Sequence, residues 1–435
     1  MEIIADLHLH SKYSRAVSPQ MMVPQISLWA ARKGIGLLGT GDFTHPLWLR
    51  ELKEDLKEVG KGLYQANKDL NQTNKEESPF FIFSAEIASI YSQGGKSHRI
   101  HNVVLAPNFK TVEEINNRLR MRGVNLMSDG RPITGLSSQQ ICEIVFSVSK
   151  DCLVIPAHIW TPWYSLYGSN SGFNSLKECF GDFANQIYGI ETGLSSDPAM
   201  NWRIEELDNR SILSFSDAHS PQKLGREATI FNLNEPLRSY EQIRQAIINQ
   251  QIGYTIEFYP EEGKYHWTGH RLCNVKHSPE QSVKLGTICP VCGKKLTVGV
   301  MHRVEELAGR SSQEVIGERN HLIESQKGRP PYFMIVPLLE IIAESLHSAV
   351  SSQKVMDQYL QMINTFGSEF EILLKTPIEF INKNFGEGIA SAIDKVRKGE
   401  IYVDPGYDGV FGVVKISSDK KEEEKAEPKE QMSLF

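Results

Sequence analysis

Short apolar runs alternate with amphipathic stretches through the first 220 residues of the chain. The runs are rich in Ile, Val, Leu and Phe and show little alternation of apolar and polar positions, which is typical of strands buried on both faces. They predict strands over residues 3–7, 36–40, 80–84, 102–106, 152–156, 188–191 and 212–216.

Stretches with helical periodicity separate most of these strands. They cover residues 24–33, 47–58, 112–120, 138–149 and 202–209, and an eighth apolar element at 229–233 precedes a further helix at 240–249. Strand–helix units repeated in this way predict an α/β fold in the form of a distorted parallel (β/α)7 barrel.

The character of the sequence changes after this barrel. Residues 260–300 are poor in helix signals and carry Cys, His, Gly and Lys, and helical periodicity returns at residue 304. Residues 417–430 are charged and almost without apolar side chains, as in a flexible linker. We therefore expect a barrel at 1–258, a zinc-ribbon module at 259–300, a mainly helical C-terminal domain at 301–416, a charged linker at 417–430 and an apolar peptide at 431–435.

Composition narrows the class of protein. The 435 residues are 40% hydrophobic and carry a formal net charge of −6, which argues against holding nucleic acid by bulk charge. Residues 264–330 nevertheless hold 11 Lys and Arg against 6 Asp and Glu, a local balance of +5. No run approaches the ~18 apolar residues of a membrane span, and no signal peptide is visible, so we expect a cytoplasmic protein.

Histidines and carboxylates of the first domain lie next to predicted strands. In a parallel barrel the C-terminal strand ends meet on one face, so residues far apart in sequence can converge there. His101 opens the fourth predicted strand, and the others lie at strand ends: Asp6, His8, His10, Asp42, His45, Glu86, His158, Glu191, Asp217 and His219.

The spacing of His8 and His10 indicates a metal centre. Alternate residues of an extended chain point the same way, so both imidazoles can face one ion. A carboxylate such as Glu86 can bridge two ions. Several His with Asp and Glu suit two or three divalent cations, with zinc, manganese, magnesium or iron as chemically reasonable choices.

These motifs resemble those of the PHP (polymerase and histidinol phosphatase) superfamily of metal-dependent phosphoesterases. The resemblance rests on D-L-H-L-H, G-D-F-T-H, S-A-E, H-N-V-V-L-A, P-A-H and S-D-A-H. It implies a multinuclear site held by His8, His10, Glu86, His101, His158, Asp217 and His219. Many members carry T-D-H after the second strand, whereas Phe43 follows Asp42 here. The further ligand is Asp42 or His45, or a third ion is weakly held.

Such a site hydrolyses phosphate esters, because bound cations neutralise the non-bridging oxygens and lower the pKa of a water molecule. Glu86, Asp217 and His219 are the candidate catalytic residues, with Asp217 and His219 as ligand and proton handler. Lys12 and Arg15 follow the first metal motif directly. They would clamp a phosphate or are plain surface charges.

Cysteines 289 and 292 form C-P-V-C-G-K, which is typical of a structural zinc site. His270 and Cys273, also spaced by two residues, are the expected partners, and His277 is the rival for the fourth position. A zinc ion would stabilise a segment too small to build a core of its own.

An aromatic loop follows His158, with the sequence W-T-P-W-Y-S-L-Y-G-S-N-S-G-F. Its aromatic rings would stack on a base or wedge into a duplex, or else bury one another in a lid. The candidates for contact with substrate are Trp160, Trp163, Tyr164 and Tyr167, beside Phe173.

The last five residues, QMSLF, are similar to the pentapeptide by which bacterial replication and repair proteins bind the β sliding clamp. Gln431 would hydrogen-bond, and Met432, Leu434 and Phe435 would enter an apolar pocket. The position at the end of the chain, behind a flexible charged linker, strengthens the resemblance.

Residues 1–416 as a whole resemble the endonuclease Q family in its bacterial form, through the barrel motifs, G-H-R-L-C with C-P-V-C-G-K, R-P-P-Y-F and D-P-G-Y-D-G-V-F-G. The resemblance implies a DNA repair endonuclease that flips a damaged nucleotide and nicks the strand 5′ to deoxyuridine, hypoxanthine and abasic sites. Damaged DNA, single- or double-stranded, and the clamp would be its partners, and the helical domain would bind DNA near the nucleoid. The rivals are a small-molecule phosphatase related to histidinol-phosphate phosphatase, and a clamp-recruited DNA-binding scaffold.

Overall fold

A computed structural model describes residues 1–67, 78–319 and 322–416. Its strands are β1 (Glu2–Asp6), β2 (Leu37–Gly39), β3 (Leu56–Gly60), β4 (Leu63–Ala66), β5 (Phe80–Gln93), β6 (Lys96–Ala106), β7 (Ile133–Thr134), β8 (Leu153–Pro156), β9 (Gly189–Glu191), β10 (Ser211–Leu213), β11 (Ala228–Asn232), β12 (Ile252–Glu257), β13 (Thr268–His270), β14 (Val275–His277), β15 (Ile316–Arg319), β16 (Ile323–Ser325), β17 (Tyr332–Met334), β18 (Tyr402–Asp404) and β19 (Val413–Lys415).

The helices are spread over the same described ranges and become dense after residue 337. They are α1 (Val23–Lys33), α2 (Pro46–Asp55), α3 (Phe109–Met121), α4 (Ser138–Val148), α5 (Leu176–Phe180), α6 (Pro198–Trp202), α7 (Tyr240–Ile248), α8 (Pro279–Leu285), α9 (Val300–Leu307), α10 (Ser312–Val315), α11 (Leu338–Ser345), α12 (Gln353–Phe366), α13 (Glu369–Leu374), α14 (Ile378–Phe385) and α15 (Glu387–Lys398).

The central sheet is mixed rather than parallel. Strands β1, β2 and β5 are parallel neighbours, while β11 runs antiparallel to β1 and β12 antiparallel to β11. Strands β9 and β10 form a separate parallel pair. The mixed α/β class is confirmed, but the expectation of parallel strands throughout is wrong, because chain reversals at β5–β6 and β11–β12 place antiparallel neighbours in the sheet.

The largest departure is the long hairpin of β5 and β6. It pairs from the Phe83/Ala106 position to the Gln93/Lys96 position. Gly94 and Gly95 close it with φ of +59° and +78°, the left-handed conformations that a tight hairpin turn needs. The Gly-Gly pair between two apolar runs was the sequence signal for this hairpin.

This hairpin changes where two site residues lie. Glu86 was expected after a strand and His101 at the opening of one, but both lie inside strands, opposite Val103 and Ala88 respectively. Side chains alternate along a strand, so Glu86 and His101 are diagonal neighbours on one face of the hairpin.

The C-terminal helices pack on the N-terminal α/β region through α1. Trp29 stacks on Tyr359 with ring centroids 5.7 Å apart, and Lys33 Nζ lies 2.8 Å from Glu369 Oε2 with both side chains buried. One hydrophobic cluster includes residues of both regions. In the ranges that the structure describes, no helix combines the length and the apolar character that crossing a bilayer requires.

Candidate metal centre

Direct backbone contact joins the first and last metal motifs. Leu9 forms a β-bridge with Ala218, and His10 N donates to Ala218 O at 3.1 Å. Buried Asp6 accepts from the backbone N–H groups of Ser216 and Gly225, each at 3.0 Å. Asp6 therefore anchors the S-D-A-H loop to the end of β1 and is not itself turned to the donor groups described below.

Three site residues hold left-handed backbone conformations. The φ angles are +47° for Asp42, +31° for His158 and +46° for Asp217. This backbone conformation is unfavourable for residues other than glycine. It therefore persists only where surrounding contacts enforce it, often at functional sites. Beside His158, a Cβ on Gly193 would lie 2.3 Å from the His158 Cβ, so only glycine fits there.

The first donor group consists of His8, His10 and Asp217, whose ligand atoms lie within 4.8 Å of one another. His8 Nδ1 lies 2.9 Å from Glu191 Oε1, and His10 Nδ1 lies 3.0 Å from Asp42 Oδ1. A carboxylate on Nδ1 fixes the proton there and leaves a lone pair on Nε2.

Within the described residues, neither Nε2 atom has a hydrogen-bond partner. Among the described residues, His8 Nε2, His10 Nε2 and Asp217 Oδ1 are buried and have no hydrogen-bond partner, although His10 Nε2 and Asp217 Oδ1 lie only 3.1 Å apart. Buried acceptors facing one another are unfavourable unless a cation lies between them. This donor set fits a divalent metal ion.

The second donor group consists of Glu86, His101 and His158. Glu86 Oε1 lies 2.6 Å from His101 Nδ1 and 3.1 Å from His158 Nε2. Its other oxygen, Oε2, lies 3.3 Å from His10 Nε2 of the first group. One carboxylate therefore faces both groups, the arrangement expected of a bridge between two ions.

The electrostatics pair anionic carboxylates with imidazoles. Burial alone would lower the pKa of His8 and His10, but the carboxylates beside them hold both well above the usual imidazole value. Burial alone would raise the pKa of Glu86 and Asp217, but the imidazoles around them, with Arg131 beside Glu86, hold both well below the usual carboxyl value. Burial lowers the pKa of His101 to about 4 against the opposing pull of Glu86, so this imidazole is neutral at pH 7. Metal ligands must be deprotonated, so His8 and His10 would lose their extra protons when an ion binds.

Asp42 and His45 do not join either donor group. Asp42 Oδ2 accepts from the Ser11 N–H at 2.6 Å and its Oδ1 faces His10, so its oxygens are used by the protein. His45 stacks on Tyr13 with ring centroids 4.5 Å apart. The geometry lets Asp42 orient His10, and its role as a ligand stays a prediction.

His219 lies at the rim of the first group. Its ring centroid is 4.8 Å from that of His10, and Nδ1 lies 2.8 Å from the Asp217 carbonyl oxygen. Its side chain is one-third exposed. This position lets it reach both an ion and a substrate.

The basic residues at the site differ from those expected. Lys12 Nζ pairs with Glu51 Oε2 at 3.0 Å, and the Arg15 side chain is 74% exposed. Arg131, which sequence reasoning missed, lies with Nη1 at 3.1 Å from Glu86 Oε2. Its sequence context, D-G-R-P, holds no His and follows no predicted strand, so the pattern gave no signal.

The aromatic loop is divided by burial. Trp160 and Tyr167 are fully buried and bonded to Asn201 Oδ1 and Glu206 Oε1, so the expectation that they contact substrate is corrected: neither ring is accessible to a base. Trp163 and Tyr164 remain half-buried, and the Tyr164 ring lies 4.7 Å from His101.

The cysteine motif forms a third cluster away from these groups. The ligand atoms of His270, Cys273, Cys289 and Cys292 lie within 4.8 Å of one another, and His270 Nδ1 is 3.4 Å from Cys292 Sγ. His277 is outside this group, because it pairs with Thr268 at the far end of the β13–β14 ribbon. The donor set suits zinc.

The chain is similar to one described protein family and to a protein of an archaeon. Residues 337–400 match the family described as the MJ0043 C-terminal domain. An uncharacterized protein of Methanocaldococcus jannaschii, MJ0043, is 34% identical over 274 residues, which span 60% of this chain and 32% of that relative.

Two solved structures match over nearly the whole chain. The lesion-specific endonuclease PfuEndoQ from Pyrococcus furiosus has a TM-score of 0.80 and 33% identity, covering 96% of both chains. Endonuclease Q in complex with a 27-mer duplex carrying an abasic lesion at its active site has a TM-score of 0.79 and 34% identity, covering 96% of this chain and 97% of that one. At this identity and coverage, the chain belongs to the endonuclease Q family.

Proposed function

We propose that this protein is a metal-dependent DNA repair endonuclease that nicks the strand 5′ to abasic sites and to deaminated bases, deoxyuridine and hypoxanthine. One observation carries the proposal: Glu86 faces both donor groups, with Oε1 2.6 Å from His101 and Oε2 3.3 Å from His10. Its family context supports DNA as substrate, because a solved member holds an abasic duplex at its active site.

Each donor group has its role in this proposal. His8, His10 and Asp217 would hold one divalent ion, and Glu86, His101 and His158 a second. When bound, such ions supply charge neutralisation at the phosphate and a lowered pKa for water.

The chain's own residues would do the remaining work. Glu191 and Asp42 fix the imidazoles of His8 and His10 through Nδ1. His219, one-third exposed at the rim, would pass the proton to the leaving oxygen. Trp163 and Tyr164, half-buried beside His101, would contact the flipped nucleotide.

A nicking assay on matched duplexes tests this function. Duplexes with one abasic site, one deoxyuridine or one deoxyinosine should be cut 5′ to the lesion, whereas the undamaged duplex should not. A chelator should stop the reaction, and added Mn²⁺ or Mg²⁺ should restore it. Intact lesion duplexes together with rapid hydrolysis of a phosphomonoester would favour the phosphatase instead, and binding to DNA with neither activity would favour the scaffold.

We also propose recruitment by the β sliding clamp through Gln431, Met432, Leu434 and Phe435. These residues lie outside the described ranges, so the support is the sequence alone. Removing residues 431–435 should abolish retention on immobilised clamp and leave nicking of short oligonucleotides intact. The tether would raise the local enzyme concentration on DNA. Equal retention of both proteins would contradict it.

The cysteine cluster is proposed to hold a structural zinc ion and to present a DNA-contacting surface. Residues 264–330 carry the +5 balance. Leu272 and Val291 are 82% and 69% exposed next to the cluster. A surface of this kind, apolar and basic together, suits a DNA groove. Zinc content per chain and the salt dependence of duplex binding test the two parts separately.

A further inference from the structure

Arg131 contacts the carboxylate that faces both donor groups. Among the residues that the structure describes, it is the one Arg or Lys whose side chain pairs with a carboxylate of the two donor groups, at 3.1 Å between Nη1 and Glu86 Oε2. A quarter of the side chain is exposed, so a ligand can reach part of it while Nη1 contacts Glu86. Arg226, also close by, is used differently, since it donates to the Ser216 carbonyl at 2.9 Å.

Hydrogen bonds hold the backbone around Arg131 next to the residues that orient the first donor group. Asp129 Oδ1 accepts from the Arg131 N–H at 3.1 Å, and Gly130 N donates to Tyr13 O at 3.0 Å. A Cβ on Gly130 would lie 2.3 Å from Asp42 Oδ2, so this segment touches the residue that orients His10.

The other end of the segment is fixed as well. Pro132 O accepts from Ala88 N at 3.0 Å, and β7 pairs with β5 beyond Glu86. Arg131 is therefore positioned by the same strand that carries the bridging carboxylate. A group placed this precisely by backbone contacts is suited to act on a substrate atom without reorganisation.

Charge indicates which substrate atom that is. With divalent ions in both donor groups, Glu86 would be drawn to those ions, and its pairing with the guanidinium would weaken. An anion at the exposed part of the side chain would then accept from the guanidinium, which pairs with phosphate oxygens through two parallel N–H donors. The non-bridging oxygens of a phosphodiester meet both requirements.

We propose that Arg131 is a further catalytic residue, which donates hydrogen bonds to a non-bridging oxygen of the phosphate that is cut. This inference rests on the proposed function. In the reaction, a water oxygen bonds to phosphorus, the bond from phosphorus to the 3′ oxygen breaks, and that oxygen takes a proton. Arg131 keeps its proton and stabilises the charge on the oxygen that does not leave.

Single-turnover nicking of an abasic duplex gives the first measurement. Arg131→Ala should slow cleavage by about 100-fold or more, the scale of one lost charge-stabilising donor. Arg131→Lys keeps the charge but lacks the planar guanidinium, so its cleavage rate should lie between those of the wild type and Arg131→Ala. Arg118→Ala is the matched control, because Arg118 lies on α3 and pairs with Glu114. An Arg131→Ala rate equal to wild type would overturn the proposal.

Phosphorothioate substitution separates contact with phosphate from support of Glu86. With Rp and Sp sulfur at the cut phosphate, removal of Arg131 should change the rate ratio of oxygen to sulfur by about 10-fold for one diastereomer only. Metal content per chain should stay at the wild-type value. Unchanged ratios for both diastereomers, or metal loss in proportion to activity, would show that Arg131 acts only through Glu86.

The same ratio can be measured in Arg131→Lys should the alanine variant fail to fold. The two proposals fail differently. A wild-type protein that does not cut lesion DNA contradicts the proposed function, whereas a wild type that cuts normally without this coupling contradicts only the role of Arg131.

Discussion

The two donor groups of the barrel and the cysteine cluster differ in how the chain supports them. The donors of the two groups come from segments between His8 and Asp217, and four of the six are buried. His8 and His10 have carboxylates behind them. The cysteine cluster is built from residues 270–292, with Cys292 exposed and a small core of Val275, Cys289 and Leu296.

This difference separates the role of metal in each region. The large core of the N-terminal α/β region holds its donors in place through its own packing, so a metal ion there would serve chemistry. A cluster with so small a core has little apolar burial to stabilise its loops, so a metal ion there would serve folding. The comparison predicts opposite consequences of losing the metal.

Asp217→Ala should have the largest effect on activity. It removes an oxygen that faces His8 and His10 at 3.7 and 3.1 Å. Cleavage of an abasic duplex should fall by about 1,000-fold or more, because one ion loses a charged ligand. Melting temperature should hold, since the surrounding core is unchanged. Residual cleavage within tenfold of wild type would place the chemistry elsewhere.

Cys289→Ser should have the opposite profile. A thiolate would be lost from the proposed zinc site, and zinc binding contributes about 10–16 kcal/mol to the folding of small zinc domains. We expect one zinc fewer per chain and rapid proteolysis within residues 270–292, with the N-terminal α/β region still resistant. Limited proteolysis with mass spectrometry detects this, and a protected segment in the variant would refute the distinction between the regions.

Glu191→Gln and Asp42→Asn test the two carboxylates that contact His8 and His10. Each removes a carboxylate from Nδ1 of a metal-facing imidazole. Metal affinity should fall by about 10–100-fold, the usual effect of losing such a partner. Titration with Mn²⁺ or Zn²⁺ measures the affinity. The matched Glu113→Gln should leave it unchanged, because the partly exposed Glu113 side chain on α3 pairs with Lys53. If all three variants bound metal with the same affinity, Glu191 and Asp42 would have no role in preparing the imidazoles for metal.

His277→Asn should have the smallest effect, and His270→Asn provides the contrast. His277 lies across from Thr268, whereas His270 Nδ1 is 3.4 Å from Cys292 Sγ. Zinc stoichiometry should be unchanged for the first and lost for the second. The reverse result would exchange the two histidines as fourth ligand.

Local sequence patterns predicted the motifs in which residue spacing alone places the side chains around one ion. His8-x-His10 sets two imidazoles on one side of an extended chain, and Cys289-x-x-Cys292 bends around one ion. The match to the endonuclease Q family came from such short motifs. Most strands and helices followed the apolar periodicity, because burial on the core side governs both.

Other features depend on contacts between distant segments. The placement of Glu86 and His101 required the β5–β6 hairpin, and Arg131 reaches Glu86 only through β7 and the contact of Gly130 with Asp42. The pattern could not distinguish Trp160, which is buried, from Trp163, which is half-buried, since both follow the same strand.

The sequence by itself therefore determined the chemical groups, their local spacing and the family. Only the tertiary structure decided which carboxylates face metal, which orient an imidazole and which cation stands beside the bridge. The physical reason is that coordination depends on distances of a few ångströms between atoms, and hydrophobic packing of remote segments sets those distances.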